Sequence, residues 1–286
     1  MKIRIQIKRK IIQIIALALT NPHVANLGSG RLYKGRWKNF CSPGLNCYSC
    51  PAAGLSCPIG ALQAVNGSID FQWSFYVTGL LCAFGILLGR AVCGFLCPFG
   101  LLQELLYKIP FPKKKIPYRA RYIKYGMLAA IVLLLPAVIT NAAGMGEPFF
   151  CKFICPAGMI EGGIPLLITQ AGIRAMAGKL FALKVVIAAA VVVGCLVNSR
   201  FFCKVLCPLG AFYGFFNKIS FVQLKTDCKA CISCGECSKI CPMDVDPSKH
   251  PNSMECIRCG KCIEACKKNA IAFQKVKKQR TQTAGR

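Results

Sequence analysis

Long apolar runs separated by basic or polar connections dominate the first 220 residues of the chain. The first run covers 11–27 and is interrupted by Asn21, Pro22 and His23; Lys2, Arg4, Lys8, Arg9 and Lys10 precede it. Three cleaner runs follow at 71–89, 125–143 and 180–199. A helix of roughly 20 apolar residues matches the hydrocarbon thickness of a bilayer, so four spans are expected. The first run also resembles a signal-peptide core, but no small-x-small cleavage site follows it, which favours an uncleaved span. Between the second and third spans lies the most basic connection, with Arg90, Lys108, Lys113, Lys114, Lys115, Arg119, Arg121 and Lys124. Positive residues stay cytoplasmic, which puts the N-terminus and everything after Arg200 inside, and 29–68 and 144–179 outside. Arg31, Lys34, Arg36 and Lys38 run against this, four charges against eight.

Beyond residue 221 the apolar runs end, and polar residues and cysteines take over until Cys266. Residues 1–28 are therefore expected to be a span or signal anchor and 29–220 a membrane domain. A small soluble domain is expected at 221–275 and a basic tail at 276–286. Composition fits such a chain: of 286 residues 55% are hydrophobic and only 16% charged. The formal charge of +27 does not indicate a nucleic-acid partner, because no aromatic–basic platform or known motif accompanies it. Basic residues beside apolar segments instead set topology and meet anionic lipid. His23 and His250 are the only histidines, which leaves a bis-histidine membrane haem without ligands.

The 21 cysteines change the picture most, because they cluster at short fixed spacings. Cys231, Cys234, Cys237 and Cys241 form one C-x2-C-x2-C-x3-C run, followed by Pro242; Cys256, Cys259, Cys262 and Cys266 form a second. In two-cluster ferredoxins three close thiolates wrap one cubane and the fourth ligates the other. Cys231, Cys234, Cys237 and Cys266 are thus expected to hold one [4Fe–4S] cluster, and Cys256, Cys259, Cys262 and Cys241 the second. Structural zinc prefers separated pairs to tandem quartets, and a reducing cytoplasm disfavours disulfides. Phe221-Val-Gln-Leu and Ala270-Ile-Ala-Phe flank the motifs and read as short strands able to pair. Lys267 stands where a proline usually follows the last cysteine, and Cys228 reads as a spare thiol.

The apolar part holds its own repeat. Cys57-Pro-Ile-Gly60, Cys97-Pro-Phe-Gly100, Cys155-Pro-Ala-Gly158 and Cys207-Pro-Leu-Gly210 share C-P-x-G, and Cys93, Cys151 and Cys203 extend three copies to C-x3-C-P. Proline at the first helical position places each of these cysteines at a helix N-terminus, where free N–H groups favour a thiolate. Residues 41–97 and 151–207 look like two halves of a duplicated unit. Cys93, Cys97, Cys203 and Cys207 then supply four inner thiolates for a further cluster. On the outer face Cys151 and Cys155 would join two of Cys41, Cys47, Cys50 and Cys57. The alternative is redox-active or structural thiols, with disulfides permitted outside. Cys82 and Cys195 read as small core residues, and Glu104 and Glu161 need no special role.

The segments "CGFLCPFGLLQELLYKIP", "GEPFFCKFICPAGMIEGGIP" and "FCKVLCPLGAFYGFFNKIS", followed by the two ferredoxin motifs, resemble the membrane ferredoxins of the NapH and NosR kind. The resemblance covers residues 30–270. It implies a mainly α protein: a polytopic four-span helix bundle with internal duplication plus a small α+β bacterial-type two-cluster ferredoxin domain. It also implies a multi-pass protein of the cytoplasmic membrane, with the ferredoxin in the cytoplasm. The implied cofactors are two [4Fe–4S] clusters and one or two further iron–sulfur clusters in the membrane domain. The expected function is electron relay between a cytoplasmic donor or acceptor, such as soluble ferredoxin or flavodoxin, and a membrane quinone or an extracytoplasmic or flavoprotein partner. A separate flavoprotein or reductase subunit is the expected partner, and the chain a component of an oxidoreductase complex rather than an independent enzyme. The other reading is a redox-sensing or metalloenzyme-maturation protein without sustained turnover. Sites on opposite faces would lie roughly 30 Å apart, too far for direct transfer.

Overall fold

The computed structural model describes residues 3–67, 75–139, 146–175 and 178–275; the ends of two expected spans (71–74 and 140–143) and the tail 276–286 lie outside the described residues. The chain is mainly helical. Two helices, Tyr118–Val138 and Lys179–Val197, are long and apolar enough to cross a membrane. Of the expected second span, the described residues form the 14-residue helix Phe75–Leu88. The first departs further from expectation, running from Ile3 to Thr20 through the basic segment. The Thr20 hydroxyl turns back on the Ala16 carbonyl at 2.8 Å, and Pro22 forbids another helical turn. The helix expected after Cys155 is apolar over Gly158–Thr169 and occupies the connection read as an outer loop. By length and composition, then, two of the four expected spans qualify among the described residues.

Tyr118–Val138 starts seven residues ahead of the expected span, and Met127–Leu134 within it is π-helical. Its early start has a local cause, since Arg121 reaches Asp244 of the C-terminal region at 3.7 Å. The repeats behave as their prolines require. Pro58–Asn66, Pro98–Leu106 and Pro208–Phe215 are helices whose preceding cysteines, Cys57, Cys97 and Cys207, have extended backbone at the N-cap. In three copies a short helical turn comes first, Ala91–Phe95, Phe150–Ile154 or Phe201–Val205, and carries the other cysteine.

The C-terminal region closes on a two-stranded antiparallel sheet in which Val222–Thr226 (β1) pairs with Ile271–Lys275 (β2), Leu224 opposite Phe273. Between the strands the backbone repeats itself. Ser233 and Gly235 have positive φ in the first cysteine run, and Arg258 and Gly260 have it in the second. Asp244 and Asn269, each three residues past the fourth cysteine, do the same. Such left-handed residues turn successive N–H groups inward, the concavity that anionic iron–sulfur groups use.

These parts share one core. Cys41, Cys57, Cys93, Cys97, Cys155 and Cys207 pack in the same apolar cluster as Cys259 and Ile257 of the ferredoxin region. The Ile3–Thr20 helix ties the two ends of that core together. Near its start the Gln6 side chain donates to the Cys259 carbonyl at 2.8 Å. At its end the Thr20 carbonyl accepts the Gly54 backbone N–H at 3.0 Å.

Candidate metal centre

The ferredoxin cysteines fall into two groups that mix the two runs. A cavity of about 240 Å³ is lined by Cys231, Cys234, Cys237 and Cys266, so the fourth cysteine of the second run completes the first set. Conversely, Cys241 lies with Cys256, Cys259 and Cys262, close enough for their charges to interact. The two fourth cysteines are held alike: Val245 N–H donates to Cys241 Sγ at 3.4 Å, and Ala270 N–H to Cys266 Sγ at 3.3 Å. Cys228 is exposed and lines neither site.

In the apolar part Cys93, Cys97, Cys203 and Cys207 form one electrostatically coupled set. Burial pushes the Cys97 thiol up to about 12, and Cys203 and Cys93 add to it. A second set consists of Cys47, Cys57, Cys151 and Cys155, in which Cys155 feels the other three. Cys41 borders this set through Cys57, and Cys50 lies by the Ala52 and Ala53 amides, near Glu161 and Lys38. Two of the four outer candidates are therefore brought in and two left at the edge. Cys195 is buried, its thiol donates to Gln103 Oε1 at 3.7 Å, and it borders the inner set through Cys203.

Both sets are built alike. The glutamine six residues after Cys97, Gln103, donates to Cys203 Sγ at 3.1 Å, and the one six residues after Cys57, Gln63, donates to Cys151 Sγ at 3.3 Å. Each site thus joins one C-P helix of the first half to one C-x3-C pair of the second.

The separation expected between these sites is overturned. Gly44, in the supposed outer loop, lies so close to Cys97 that a Cβ there would be 2.8 Å from the Cys97 Cα. The Leu45 backbone amide faces the Cys97 sulfur, and the next amide, Asn46, faces that of Cys57. Tyr213 sits between the sets, among Cys93 and Cys97 and among Cys41 and Cys57, with its hydroxyl donating to the Pro43 carbonyl at 2.9 Å. The physical reason is that Pro58–Asn66 leads away from Cys57, so the cysteine itself stays deep. The inner set meets the ferredoxin just as closely. A Cβ on Gly94 would lie 2.5 Å from the Ile257 carbonyl, beside Cys256 and Cys259.

Charge tests whether these sites suit iron–sulfur clusters. Glu104 lies between Arg9 and Arg200, Glu255 between Arg90 and Lys124, and Asp244 between Lys204 and Arg121. Burial alone would raise Glu104, but Arg200 and Arg9 hold it down at about 2. Arg258 is also buried, bonded to the Leu88 and Asn217 carbonyls and the Ser220 hydroxyl and to no carboxylate among the described residues. Seven of the eight buried cations among the described residues (the eighth, Lys38, lies at the outer set) thus face three carboxylates, leaving an excess of positive charge. An uncompensated buried charge costs several kcal/mol. A resting cubane with four thiolates carries about −2, so one in the inner set and one at Cys241, Cys256, Cys259 and Cys262 would balance the excess. Among the described residues no three His, Cys, Asp or Glu side chains converge closely enough to hold a single metal ion.

Spacing alone did not reveal the glutamines, Tyr213 or the carboxylates with two cationic neighbours. Arg90, Arg121 and Lys124, counted above as topology charges, are buried ion-pair members. Removing them, and the buried Lys38 on the other side, leaves five charges against three.

The chain has recognisable relatives. A family model described as a 4Fe-4S binding domain matches residues 71–119, 127–164 and 181–225, one C-x3-C-P copy in each. A second model of the same description matches 250–272. An uncharacterized protein of Methanocaldococcus jannaschii, MJ0750, is 34% identical over 68% of this chain and 76% of its own length. The methylamine utilization ferredoxin-type protein MauN of Methylorubrum extorquens is 28% identical over 65% of this chain and 60% of its own length. The regulatory protein NosR of Stutzerimonas stutzeri is 27% identical over 71% of this chain, which spans 28% of that longer protein. No solved structure matches.

Proposed function

Because the chain belongs to the NapH/NosR-like family of 4Fe–4S ferredoxin-type membrane proteins, we propose that it is a four-site electron relay. Its order would run from Cys231, Cys234, Cys237 and Cys266 through Cys241, Cys256, Cys259 and Cys262, then to the inner set, and finally to Cys47, Cys57, Cys151 and Cys155. What supports this reading is the unbroken packing between neighbouring sets: Cys237 beside Cys262, Ile257 against Gly94, and Leu45 and Asn46 between Cys97 and Cys57. A cubane bound at each set supplies one-electron chemistry without moving atoms.

The chain's own residues do the rest. Backbone amides and Gln63 and Gln103 donate to sulfur and favour the more negative, reduced state. Apolar packing keeps water from the inner thiolates, and the two deeply placed sets remove the need to cross a whole bilayer in one step. The ferredoxin end is exposed at Cys234, where a soluble carrier such as a ferredoxin or flavodoxin would exchange electrons. A cavity of about 800 Å³ between the start of Tyr118–Val138 and the loop before Cys256, lined by Tyr118, Tyr122, Tyr125, Phe215 and His250, is large enough for a quinone head group. A flavoprotein or reductase subunit would meet the outer set. On this reading the protein is multi-pass, with its ferredoxin region cytoplasmic.

Iron and acid-labile sulfide counts on anaerobically purified protein test the reading. Four clusters give about 16 of each per chain. A count of about eight would remove the two sets in the apolar part and leave only a ferredoxin. Rapid reoxidation of dithionite-reduced membranes by a quinone analogue or an added flavoprotein is expected of a relay, and inert clusters of a sensor.

A further inference from the structure

Two buried arginines make the two sets in the apolar part electrostatically unequal. Arg90 stands three residues before Cys93, and Arg200 three before Cys203. Each reaches into the other half of the repeat: Arg90 Nη2 donates to the Cys203 carbonyl at 3.1 Å, and Arg200 Nη1 to the Cys93 carbonyl at 2.6 Å. Each also covers the opposite C-P-x-G glycine, where a Cβ would be 3.1 Å from Arg90 Nη2 at Gly210 and 3.0 Å from Arg200 Nη1 at Gly100. This reciprocal exchange is absent from the outer set, because Pro148 holds the position three residues before Cys151.

Neighbouring charges widen the difference. The carboxylates facing the arginines do not cancel them, since Glu104 is shared with Arg9 and Glu255 with Lys124. Lys204, directly after Cys203, adds a further buried cation and shares Asp244 with Arg121. At the outer set the buried cation is Lys38, bonded to the Tyr48 carbonyl at 2.5 Å. Opposing it is Glu161, whose Oε2 accepts the Cys47 backbone N–H at 2.9 Å. The inner set thus lies among more buried positive charge than the outer set, where Lys38 and Lys184 stand with Glu161. Away from water such charges act strongly, and a positive surrounding stabilises the state with one more electron.

We propose that Arg90 and Arg200 make the inner set the higher-potential site of the two, so that electrons pass inward from the outer set downhill and outward only against a potential step. The inference rests on the four-site reading above. Each inward passage moves one electron, with the outer site oxidised, the inner site reduced and no bond or proton changed. The relay is then built to accept electrons from a strongly reducing partner at the outer set, or to deliver them there only when one drives it from the ferredoxin end. Arg90 and Arg200 act through the backbone and the field, as positioning and tuning residues rather than ligands.

Potentiometric titration of the full-length protein, purified anaerobically and followed by EPR, reads this directly. Cys93→Ser and Cys151→Ser assign the inner and outer signals. The inner signal is expected to titrate at the higher potential. Arg200→Gln should lower the inner midpoint, Glu104→Gln should raise it, and Glu161→Gln should raise the outer midpoint alone. Should Arg200→Gln fail to fold, the Glu104→Gln and Glu161→Gln shifts still decide the matter, because a merely structural role predicts no such upward movement confined to one set. Four clusters with the inner midpoint at or below the outer, or unmoved by Glu104→Gln, would overturn this inference and leave the relay standing. An iron count for only two clusters would overturn both.

Discussion

Single side chains decide which thiols can act together. Cys241 and Cys266 exchange between the two ferredoxin runs, so Cys241→Ala should remove the cluster held by the second run and leave the first. Iron should fall by about four atoms per chain, whereas Cys228→Ala should cost none; iron analysis with EPR distinguishes the two outcomes. At Gln103 the prediction is electronic. Its N–H donates to the buried Cys203 Sγ at 3.1 Å, and hydrogen bonds to charged groups contribute about 1.5–3 kcal/mol. Gln103→Met should therefore lower the midpoint of the inner set, and Gln63→Met that of the outer set, each without moving the other. The cysteines were legible because ligand spacing is local. The glutamines and arginines were not, because their partners lie across the repeat: Gln103 meets Cys203 and Arg90 meets Glu255. Arg90 and Lys124 misled in a specific way, since a cation that sets topology and one that balances a buried cluster look identical in a sequence.

Elements were legible where proline or strand alternation dictated them. The C-P starts of Pro58–Asn66, Pro98–Leu106 and Pro208–Phe215 follow from N1 preference, and the pairing of β1 with β2 follows from the flanks of the cysteine runs. Helix ends were less legible where tertiary contacts overrode hydropathy. Ile3–Thr20 continues through Lys8, Arg9 and Lys10 because Arg9 is buried against Glu104 at 2.8 Å. Where elements meet, small residues control spacing. At Gly94 an added methyl would meet the Ile257 carbonyl, part of the ferredoxin backbone, which has no flexible end to yield. Gly94→Ala should cost about 1–3 kcal/mol of stability. It should also slow electron exchange between the ferredoxin and the inner set, with iron content unchanged, as rapid-mixing reduction would record.

Across the whole molecule, the expectation that failed was distance. Counting spans placed Cys57 and Cys155 on one membrane face and Cys97 and Cys207 on the other, because a loop between helices was assumed to stay at the surface. Residues 43–46 instead descend to Cys97, which no hydropathy pattern discloses, since the segment Pro43-Gly44-Leu45-Asn46 reads as an ordinary turn. That descent depends on the N-terminal helix. At 1.5 Å per residue Ile3–Thr20 is about 27 Å long, with Gln6 on the ferredoxin at one end and the Thr20 carbonyl holding Gly54 and Asn46 at the other. The loop bearing Cys47 and Cys57 therefore has its depth set by a strut standing on the ferredoxin region. Breaking the strut midway, with Gln13→Pro, removes a backbone donor and the bond from Gln13 Nε2 to the Gly94 carbonyl at 2.9 Å, at a cost of about 3 kcal/mol or more. The two ferredoxin clusters, whose ligands lie far along the chain, should persist, while the outer set loses its iron first. Retention of all four clusters with unchanged EPR would show that residues 43–46 hold their depth through Tyr213 and Gly44 alone, and that the N-terminal helix is only an attachment.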